Sequence, residues 1–251
     1  GRPACVLVVG VNGTGKTTLF KILLGFDSDF DGKVEIPKSA VVMATMQEHH
    51  GLDGITTLAY ISSRLPKFAE LKEIIDTYPD KMGENAHMQN VFAEALQDFS
   101  DKGYYEIENE IESLLSSYQL SHEVLHRDFS TLSGGQKRLI DLVAIQIGEP
   151  SIALLDEPTN HMDYIAKDVF LSWLKTTSCS CIVISHDRDV LQTVDRVIEL
   201  RDYSDHSFNG NYDAYLAQNS VRTVGQMQSF ETTEKRIENI KEQIRYAKVK
   251  A

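Results

Sequence analysis

The stretch CVLVVGVNGTGKTTLFKILLG, residues 5–25, decides the fold. Its first residues form an apolar run typical of a buried β-strand, and Leu19, Ile22 and Leu23 recur at helical spacing. Between strand and helix, residues 10–17 fit the pattern G-x-x-x-x-G-K-[ST] in full. The glycines allow backbone N–H groups to face a phosphate at the N-terminus of the helix. A Gly-rich turn without nucleotide is the alternative, but the flanking strand and helix favour a phosphate-binding loop.

Two polar side chains of this loop indicate a nucleotide carrying Mg²⁺. Lys16 is placed to reach the β- and γ-phosphates, and the Thr17 hydroxyl is placed to ligate the metal. The sequence therefore predicts that the first strand and helix hold a nucleotide through its phosphates.

A second stretch, SIALLDEPTNHMD at residues 151–163, ends an apolar strand on two acids, Asp156 and Glu157. Adjacent carboxylates repel each other, so a cation is expected beside them. Given the phosphate loop, Asp156 is expected to hold Mg²⁺ through its water shell. Glu157 is expected to polarise the water that attacks the γ-phosphate. The alternative for Glu157 is an acid that interacts with a helix N-terminus.

Three further segments carry polar residues where an apolar run ends or a helix begins. The sequence LSGGQ precedes an amphipathic helix, so Ser133 and the amides of Gly134 and Gly135 form a second anion site. The strand predicted in CIVISHD ends at His186, which is suited to hydrogen-bond a γ-phosphate. The strand predicted in VVMATMQ ends at Gln47, which could ligate Mg²⁺ or position water. A second anion site makes sense if it caps a nucleotide held by another domain.

Taken in their order along the chain, the motifs resemble the nucleotide-binding domain of the ATP-binding cassette superfamily, over roughly residues 4–200: they are GVNGTGKT, Gln47, LSGGQ, LLDEP, the loop at Asp163 and His186. The resemblance implies an α/β fold: a P-loop NTPase core of ABC type with a small antiparallel β part. It also implies an α-helical subdomain at about residues 52–130 and a long linker helix after the core. Four helical patterns in that interval agree with it, near Thr57–Leu65, Phe68–Thr77, Val91–Phe99 and Tyr105–Tyr118.

The resemblance also implies ATP and Mg²⁺ as cofactors, ATP hydrolysis as the activity, and a head-to-tail pair of domains as the active form. It implies catalytic roles for Glu157, His186 and Gln47, and metal contacts from Thr17, Gln47 and Asp156. The residues expected to contact ATP divide between the loop and the LSGGQ signature of a facing domain: Gly10, Asn12, Gly13, Thr14, Gly15, Lys16, Thr17 and Thr18 in the loop, and Ser133, Gly134, Gly135 and Gln136 in the signature.

The sequence DEPTNHMD resembles the DEPTNHLD of the ABC-F proteins, cassette ATPases that act on ribosomes and carry no membrane domain. FNGNYDAYLAQ resembles the start of the linker between the two cassettes of that family. A domain of residues 1–216 and a helical linker of residues 217–251, continuing beyond Ala251, are therefore expected. ABC-F membership implies a cytoplasmic translation factor or antibiotic-resistance factor with a second cassette, the ribosome, ribosomal RNA and transfer RNA as partners.

Charge supports a focused contact with RNA. Residues 231–251 hold six Lys and Arg against four Glu, a net +2, which leaves −14 for the rest of a chain whose net charge is −12. An acidic body does not coat nucleic acid, whereas a basic helix can contact it locally. A solvated helix without a partner is the alternative for this segment.

Two other functions stay open on the sequence alone: the ATPase subunit of an ABC membrane transporter, and a scaffold that senses ATP without hydrolysing it. Asn160 and His161 disfavour the first, and Glu157 disfavours the second. No run of 18 apolar residues occurs, so no membrane span is expected.

Several residues depart from the family pattern or invite other readings. Leu139 stands where the family usually has a basic residue, Arg138 lies one position earlier, and Asp141 occupies a position that is usually small or apolar. His49 is expected to be solvated in a loop rather than to ligate a metal. The thiols of Cys179 and Cys181 share a strand face without companion ligands, so zinc is not expected.

Overall fold

The computed structural model describes residues 4–10, 16–46, 49, 51–201 and 204–218. Within them, one sheet of six strands forms the centre of the domain. The strands are β1 (Cys5–Gly10), β2 (Val42–Ala44), β3 (Ile152–Asp156), β4 (Ser180–Ile184), β5 (Arg196–Arg201) and β6 (Ser204–Asn209).

The sheet is mixed. Its spatial order is β2-β3-β4-β1-β5-β6, and each neighbouring pair is parallel except β5 and β6, which are antiparallel. The strand order reverses around β1, as in doubly wound α/β folds, where ligands bind at the carboxyl ends of the parallel strands. The predicted α/β fold with a small antiparallel part is confirmed.

Helices surround the sheet and fill the interval between β2 and β3. They are α1 (Lys16–Leu23), α2 (Thr57–Arg64), α3 (Phe68–Thr77), α4 (Ala86–Asp101), α5 (Ile107–Ser117), α6 (Gly134–Gly148), α7 (Tyr164–Thr176) and α8 (Arg188–Thr193). Helices α2 to α5 occupy the four stretches in which the sequence shows helical patterns. Their role as a separate subdomain stays a prediction.

Alternating side chains of the strands feed two apolar cores. In β3, Ala153 and Leu155 join the larger core with buried residues of α2 and α5 to α7, whereas Leu154 faces the smaller core with Phe20 of α1. Adjacent strand residues point to opposite faces, so a strand apolar at every position must be covered on both sides. The apolar run of residues 152–155 therefore follows from burial between α1 and the helices of the opposite face.

A buried polar cluster links α6 to α2 and corrects one expectation. The carboxylate of Asp141 in α6 is fully buried and accepts hydrogen bonds from Tyr60 and Arg64 of α2. His49 is not a solvated loop residue: its side chain is 10% exposed, and Nε2 lies 3.0 Å from Asp141 Oδ2. The expectation was wrong because it considered His49 beside its sequence neighbours, whereas its partner lies 92 residues further along the chain.

Candidate active site

The carboxyl edge of the parallel strands brings two of the three expected metal residues together. Thr17 in the first turn of α1 and Asp156 at the end of β3 line one cavity of about 260 Å³. Thr45 and Met46, which follow β2, line the same cavity. The fold thus places a hydroxyl and a carboxylate, from residues 139 positions apart, around one space.

The donor set of this cavity fits Mg²⁺. Mg²⁺ prefers oxygen ligands and usually keeps several waters, so one carboxylate and one hydroxyl suffice beside the phosphate oxygens of a nucleotide. Asp156 is 8% exposed, and its backbone N–H donates to Thr45 Oγ1 at 2.9 Å. That bond fixes the end of β3 against the segment after β2.

A second, larger cavity of about 580 Å³ lies beside the first turn of α1. Lys16 and His186 both line it, as do Ser185 and Glu199. An ammonium and an imidazole on one cavity can both contact a phosphate group. The structure therefore places the predicted phosphate-binding lysine and the predicted γ-phosphate contact on a shared space.

Glu157 and His186 meet at the ends of β3 and β4. The His186 backbone N–H donates to Glu157 Oε2 at 3.4 Å, and His186 Nε2 lies 3.6 Å from Glu157 Oε1. The Glu157 side chain is 22% exposed, and that of His186 is 71% exposed. The carboxylate lies beside an imidazole and is partly exposed to solvent, as an acid–base role requires.

The backbone of Glu157 is held in an unusual conformation. Its φ is +46°, in the left-handed region that non-glycine residues seldom adopt. Three hydrogen bonds hold it there: its N–H donates to the Ile184 carbonyl at 2.8 Å, and its own carbonyl accepts from Arg138 Nη1 at 2.8 Å and from the Asn160 N–H at 3.2 Å. Such positions cluster at functional sites. Arg138, one residue before the family's usual basic position, thus ties α6 to the residue expected to act on water.

The signature residues form a helix cap. Ser133 Oγ accepts the Gln136 N–H at 3.2 Å, and Gln136 Oε1 accepts the Ser133 N–H at 3.1 Å, a capping box at the start of α6. Ser133 and Gly134 are exposed, and the signature residues line neither cavity described above. A methyl group on Gly135 would make only ordinary contacts, 3.7 Å from His161 Cβ.

Of the remaining predicted site residues, the structure describes Gly10 and Thr18 only. Gly10 is the last residue of β1, and Thr18 is exposed on α1. Asn12, Gly13, Thr14, Gly15 and Gln47 lie outside the described residues, as does the linker from residue 219 onward. Their roles stay predictions.

An ion pair fixes the helix that follows His186. Asp187 caps α8 by accepting the Asp189 N–H at 2.9 Å, and Lys167 of α7 donates to it at 3.2 Å. Partial burial alone would raise the pKa of Asp187, but these hydrogen bonds and the Lys167 ammonium outweigh burial, and the pKa lies below its ordinary value. The orientation of the segment after β4 thus depends partly on charge.

Sequence reasoning missed two residues of this edge. Thr45 accepts the Asp156 N–H, and Arg138 holds the Glu157 carbonyl. A threonine at the end of an apolar strand and a cation early in a signature helix are the only signals, and neither indicates its partner without the fold.

Comparison with known proteins decides the family. The profile of the ABC transporter family matches residues 2–160. The chain belongs to that family of ATP-binding domains. ATP hydrolysis is the general activity of these cassettes. Among the described residues, no helix has both the length and the apolar character needed to cross a membrane.

The similar proteins include two that are named as ATP-binding proteins and one that is named as an F family member. The chain is 30% identical to "Putative ATP-binding protein YdiF" of Bacillus subtilis, covering 94% of this chain and 38% of the relative, and 30% identical to "Probable ATP-binding protein YheS" of Escherichia coli K12, covering 97% and 38%. "ABC transporter F family member 4" of Arabidopsis thaliana is 28% identical, covering 93% and 33%. The chain thus spans well under half the length of these relatives.

The fold matches that of a solved cassette. The dimeric structure of MJ0796, a bacterial ABC transporter cassette, superposes with a TM-score of 0.55 at 18% identity, covering 84% of this chain and 88% of the other. At that identity the likeness concerns the fold alone.

Proposed function

We propose that this cassette is the first ATP-binding domain of an ABC-F-type ATPase that acts on the ribosome. The observation that carries the ATPase part is the convergence of Lys16, Thr17, Asp156, Glu157 and His186 on one edge of the sheet. The ribosomal part rests on the sequence DEPTNHMD, on the similarity to a protein named as an F family member, and on the basic linker.

The residues of the edge divide the chemistry of hydrolysis. Lys16 would bind the phosphates, and Thr17, Asp156 and Gln47 would hold Mg²⁺, which would neutralise negative charge on the phosphates. Glu157 orients a water for attack on the γ-phosphate and accepts its proton. His186, beside Glu157, donates a hydrogen bond to the γ-phosphate. The strained Glu157 backbone, held by Ile184 and Arg138, keeps the carboxylate at that place.

The signature acts on a different nucleotide. Ser133, Gly134, Gly135 and Gln136 line neither the cavity of Lys16 and His186 nor that of Thr17 and Asp156, although they stand at a helix N-terminus, which favours an anion. Two cassettes therefore face each other head to tail, so that Lys16 of one lies across the nucleotide from Ser133 of the other. The partner is a second cassette, either in the same protein or in a second copy.

The turn after Glu157 lies beside the signature helix. Asn160 donates its N–H to the Glu157 carbonyl, and His161, with a φ of +68°, lies against Gly135 of the signature. Through backbone and Cβ contacts, the turn that carries Asn160 and His161 thus connects Glu157 to the start of the signature helix.

In this proposal, the linker is the part of the chain that contacts RNA. The acidic body is repelled by RNA as a whole, whereas six basic residues of the linker can neutralise phosphates: Lys235, Arg236, Lys241, Arg245, Lys248 and Lys250. Closure of the cassettes on ATP fixes the linker at one angle and presents these residues to transfer RNA. Hydrolysis opens the pair and releases the factor.

The test is co-sedimentation with ribosomes in ATP. The full-length protein carries Glu157→Gln and the matching change in its second cassette, so that the ATP-bound form persists. We expect it to pellet with ribosomes, to lose retention when the six linker residues become Ser, and to dissociate steeply with added salt.

A matched control removes the same charge from the body. Six exposed lysines are changed to Ser instead: Lys33, Lys38, Lys72, Lys81, Lys102 and Lys175. This variant should still pellet. If the trapped protein never co-sediments, or if both sets of changes have equal effects, the ribosomal assignment of the linker is wrong.

A further inference from the structure

Two thiols lie in contact at the amino end of β4. Cys179 stands in the bend before the strand, Cys181 is the second residue of the strand, and their Sγ atoms are 3.5 Å apart. A disulfide requires Cα atoms closer than about 7 Å. Two residues of extended chain span at most about 7 Å, and the bend at Cys179 shortens that span. Rotation of the two side chains can therefore join these sulfurs.

A cavity of about 290 Å³ leads from the surface to one of the two thiols. Cys179 lines this cavity together with Glu149, Thr176 and Ser178, which are exposed, so the cavity opens to solvent. Cys179 is 5% exposed, whereas Cys181 is 1% exposed and does not line the cavity. Since a water molecule occupies about 30 Å³, the space admits a solute of a few atoms. Such a solute meets Cys179 first.

The surroundings of Cys179 favour its thiolate. The Thr177 hydroxyl donates to Cys179 Sγ at 3.2 Å and is itself oriented by the Cys179 N–H, which donates to Thr177 Oγ1 at 3.2 Å. The pKa of Cys179 lies below its ordinary value: the hydrogen bond with the Cys181 thiol is the largest cause, Thr177 adds to it, and together they outweigh burial, which raises the pKa. The thiolate is the form of cysteine that reacts as a nucleophile.

The third cysteine of the chain provides an internal comparison. Cys5 of β1 pairs with Cys181 in the register of the parallel strands β1 and β4, so the two side chains stand on one face of the sheet. Cys5 is 4% exposed, as buried as Cys179, but it does not line the cavity. Burial alone therefore does not separate Cys179 from Cys5, whereas access from the cavity does.

We propose that Cys179 and Cys181 form an oxidant-sensitive dithiol that hydrogen peroxide converts to a disulfide. The Cys179 thiolate attacks one peroxide oxygen, the O–O bond breaks, and the departing hydroxide takes up a proton to become water. The Cys181 sulfur then attacks the sulfur of the Cys179 sulfenic acid, the S–O bond breaks, and the proton of the Cys181 thiol leaves in a second water. The two thiols lose two electrons, and the peroxide gains them.

The dithiol lies at the end of β4 that is remote from the proposed ATP site. His186 follows the carboxyl end of the strand, five residues after Cys181, which corresponds to about 16 Å. Oxidation of the pair therefore leaves the residues of the ATP site untouched. ATP affinity should be unchanged in the oxidised protein, and it serves as a check that the protein is still folded.

One tryptic peptide reports the reaction. Cleavage after Lys175 and Arg188 yields residues 176–188 with both thiols, whereas Cys5 lies in another peptide. The folded full-length protein is treated with hydrogen peroxide, alkylated in denaturant, digested, and analysed by mass spectrometry without reductant. We expect peptide 176–188 to lose two hydrogens and to take no alkyl group, about 10-fold faster than Cys5 loses its own alkylation. Dithiothreitol should restore two alkylation sites.

Single substitutions assign the roles of the two sulfurs. Cys181→Ser should cause Cys179 to gain oxygen instead of forming a disulfide, and Cys179→Ser should leave Cys181 reduced at the same dose. Cys5→Ser is the control and should keep disulfide formation. Thr177→Val removes the hydroxyl and should slow the reaction about 3-fold, whereas Thr177→Ser keeps the hydroxyl and should keep the rate. Melting temperature shows that each variant is folded.

Three results would overturn the proposal. The first is a peptide 176–188 that still takes two alkyl groups when Cys5 is already oxidised. The second is a cross-link between this peptide and the peptide of Cys5, and the third is a disulfide that forms only in urea. Equal rates for Thr177→Val and Thr177→Ser would overturn the part of the proposal in which the Cys179 thiolate attacks the peroxide.

Discussion

The carboxyl edge of the sheet and the N-terminus of α6 both carry ATP-site motifs, yet they are built differently. At the edge, Lys16, Thr17, Asp156 and His186 line cavities, and Glu157 is held in a strained conformation. At the start of α6, Ser133 bonds Gln136 of its own helix, and Ser133 and Gly134 are exposed. The sheet edge surrounds two cavities within this chain. The start of α6 forms a helix cap, and its residues line neither of those cavities.

This difference indicates a site divided between two domains. A region that binds its ligand alone concentrates polar groups around a concave space. A surface that binds only when a partner arrives must be stable by itself, and the capping box of α6 provides that stability. Under the proposed function, the edge is the resident half of an ATP site, and the signature is the half offered to another cassette.

The largest expected effect is loss of turnover at the edge. Glu157→Gln, made together with its counterpart in the second cassette, should lower ATP turnover by about 10²–10⁴-fold, because the carboxylate that accepts the proton of water is gone. ATP binding should persist, since Lys16 and Thr17 are unchanged. Steady-state phosphate release and nucleotide retention measure both. Glu108→Gln, an exposed acid on α5, is the control; turnover equal to that of this control would remove Glu157 from its role.

The next effect concerns the buried carboxylate of Asp141. Its helix, α6, carries the signature at its N-terminus and bonds Glu157 at the sheet edge through Arg138. Asp141→Ala leaves the guanidinium of Arg64 without its buried partner, and the free energy of unfolding should fall by about 3–5 kcal/mol. Asp76→Ala removes a surface pair with Lys72, whose side chains are about half exposed, and should cost under about 1 kcal/mol. Urea denaturation compares them. Equal losses would mean that the Asp141 cluster does not hold α6 in place.

A charge at the signature sharpens the comparison further. Gly135→Asp should not destabilise the chain, because a Cβ there makes only ordinary contacts and an acid in the first turn of a helix is favourable. A nucleotide phosphate arriving from a facing cassette would be repelled, so turnover should fall by about 10²-fold. Melting temperature and turnover are measured together. Loss of both would indicate a folding defect, and loss of neither would exclude a phosphate opposite Gly135.

The smallest effect concerns Asp187, beside the edge. Its pKa is lower in the folded chain, so its ion pair stabilises at pH values above the unfolded pKa of about 3.9 and is lost as pH falls through the folded pKa. Asp187→Asn keeps a helix cap but removes the charge, and at pH 7 should cost about 0.5–1 kcal/mol of unfolding free energy. The gap between variant and parent should close below about pH 4. A gap independent of pH would assign the loss to packing instead.

The sequence was sufficient for features that depend on near neighbours. The apolar strand β1, the helix α1 and the acids at the end of β3 have their pattern within a few residues, and the structure has the three elements where the sequence predicts them. Contacts between residues far apart in the sequence could not be predicted from it. Asp141 finds Tyr60, 81 residues away, and Arg138 finds Glu157, 19 residues away, because helix packing and not local sequence brings them together. Sequence also could not place His49, whose polar character is equally typical of a solvated loop.

The divided site is tested most directly by mixing two inactive variants of the chain. Lys16→Ala destroys the resident half and keeps the signature, whereas Gly135→Asp keeps the resident half and blocks the signature. Each alone should turn over little ATP. In a mixture that sedimentation in ATP shows to be paired, half of the pairs contain one of each, with one intact composite site, so about a quarter of the unmodified activity should return. A paired mixture that stays inactive, or full turnover by unmodified chains that sediment as monomers, would contradict the account.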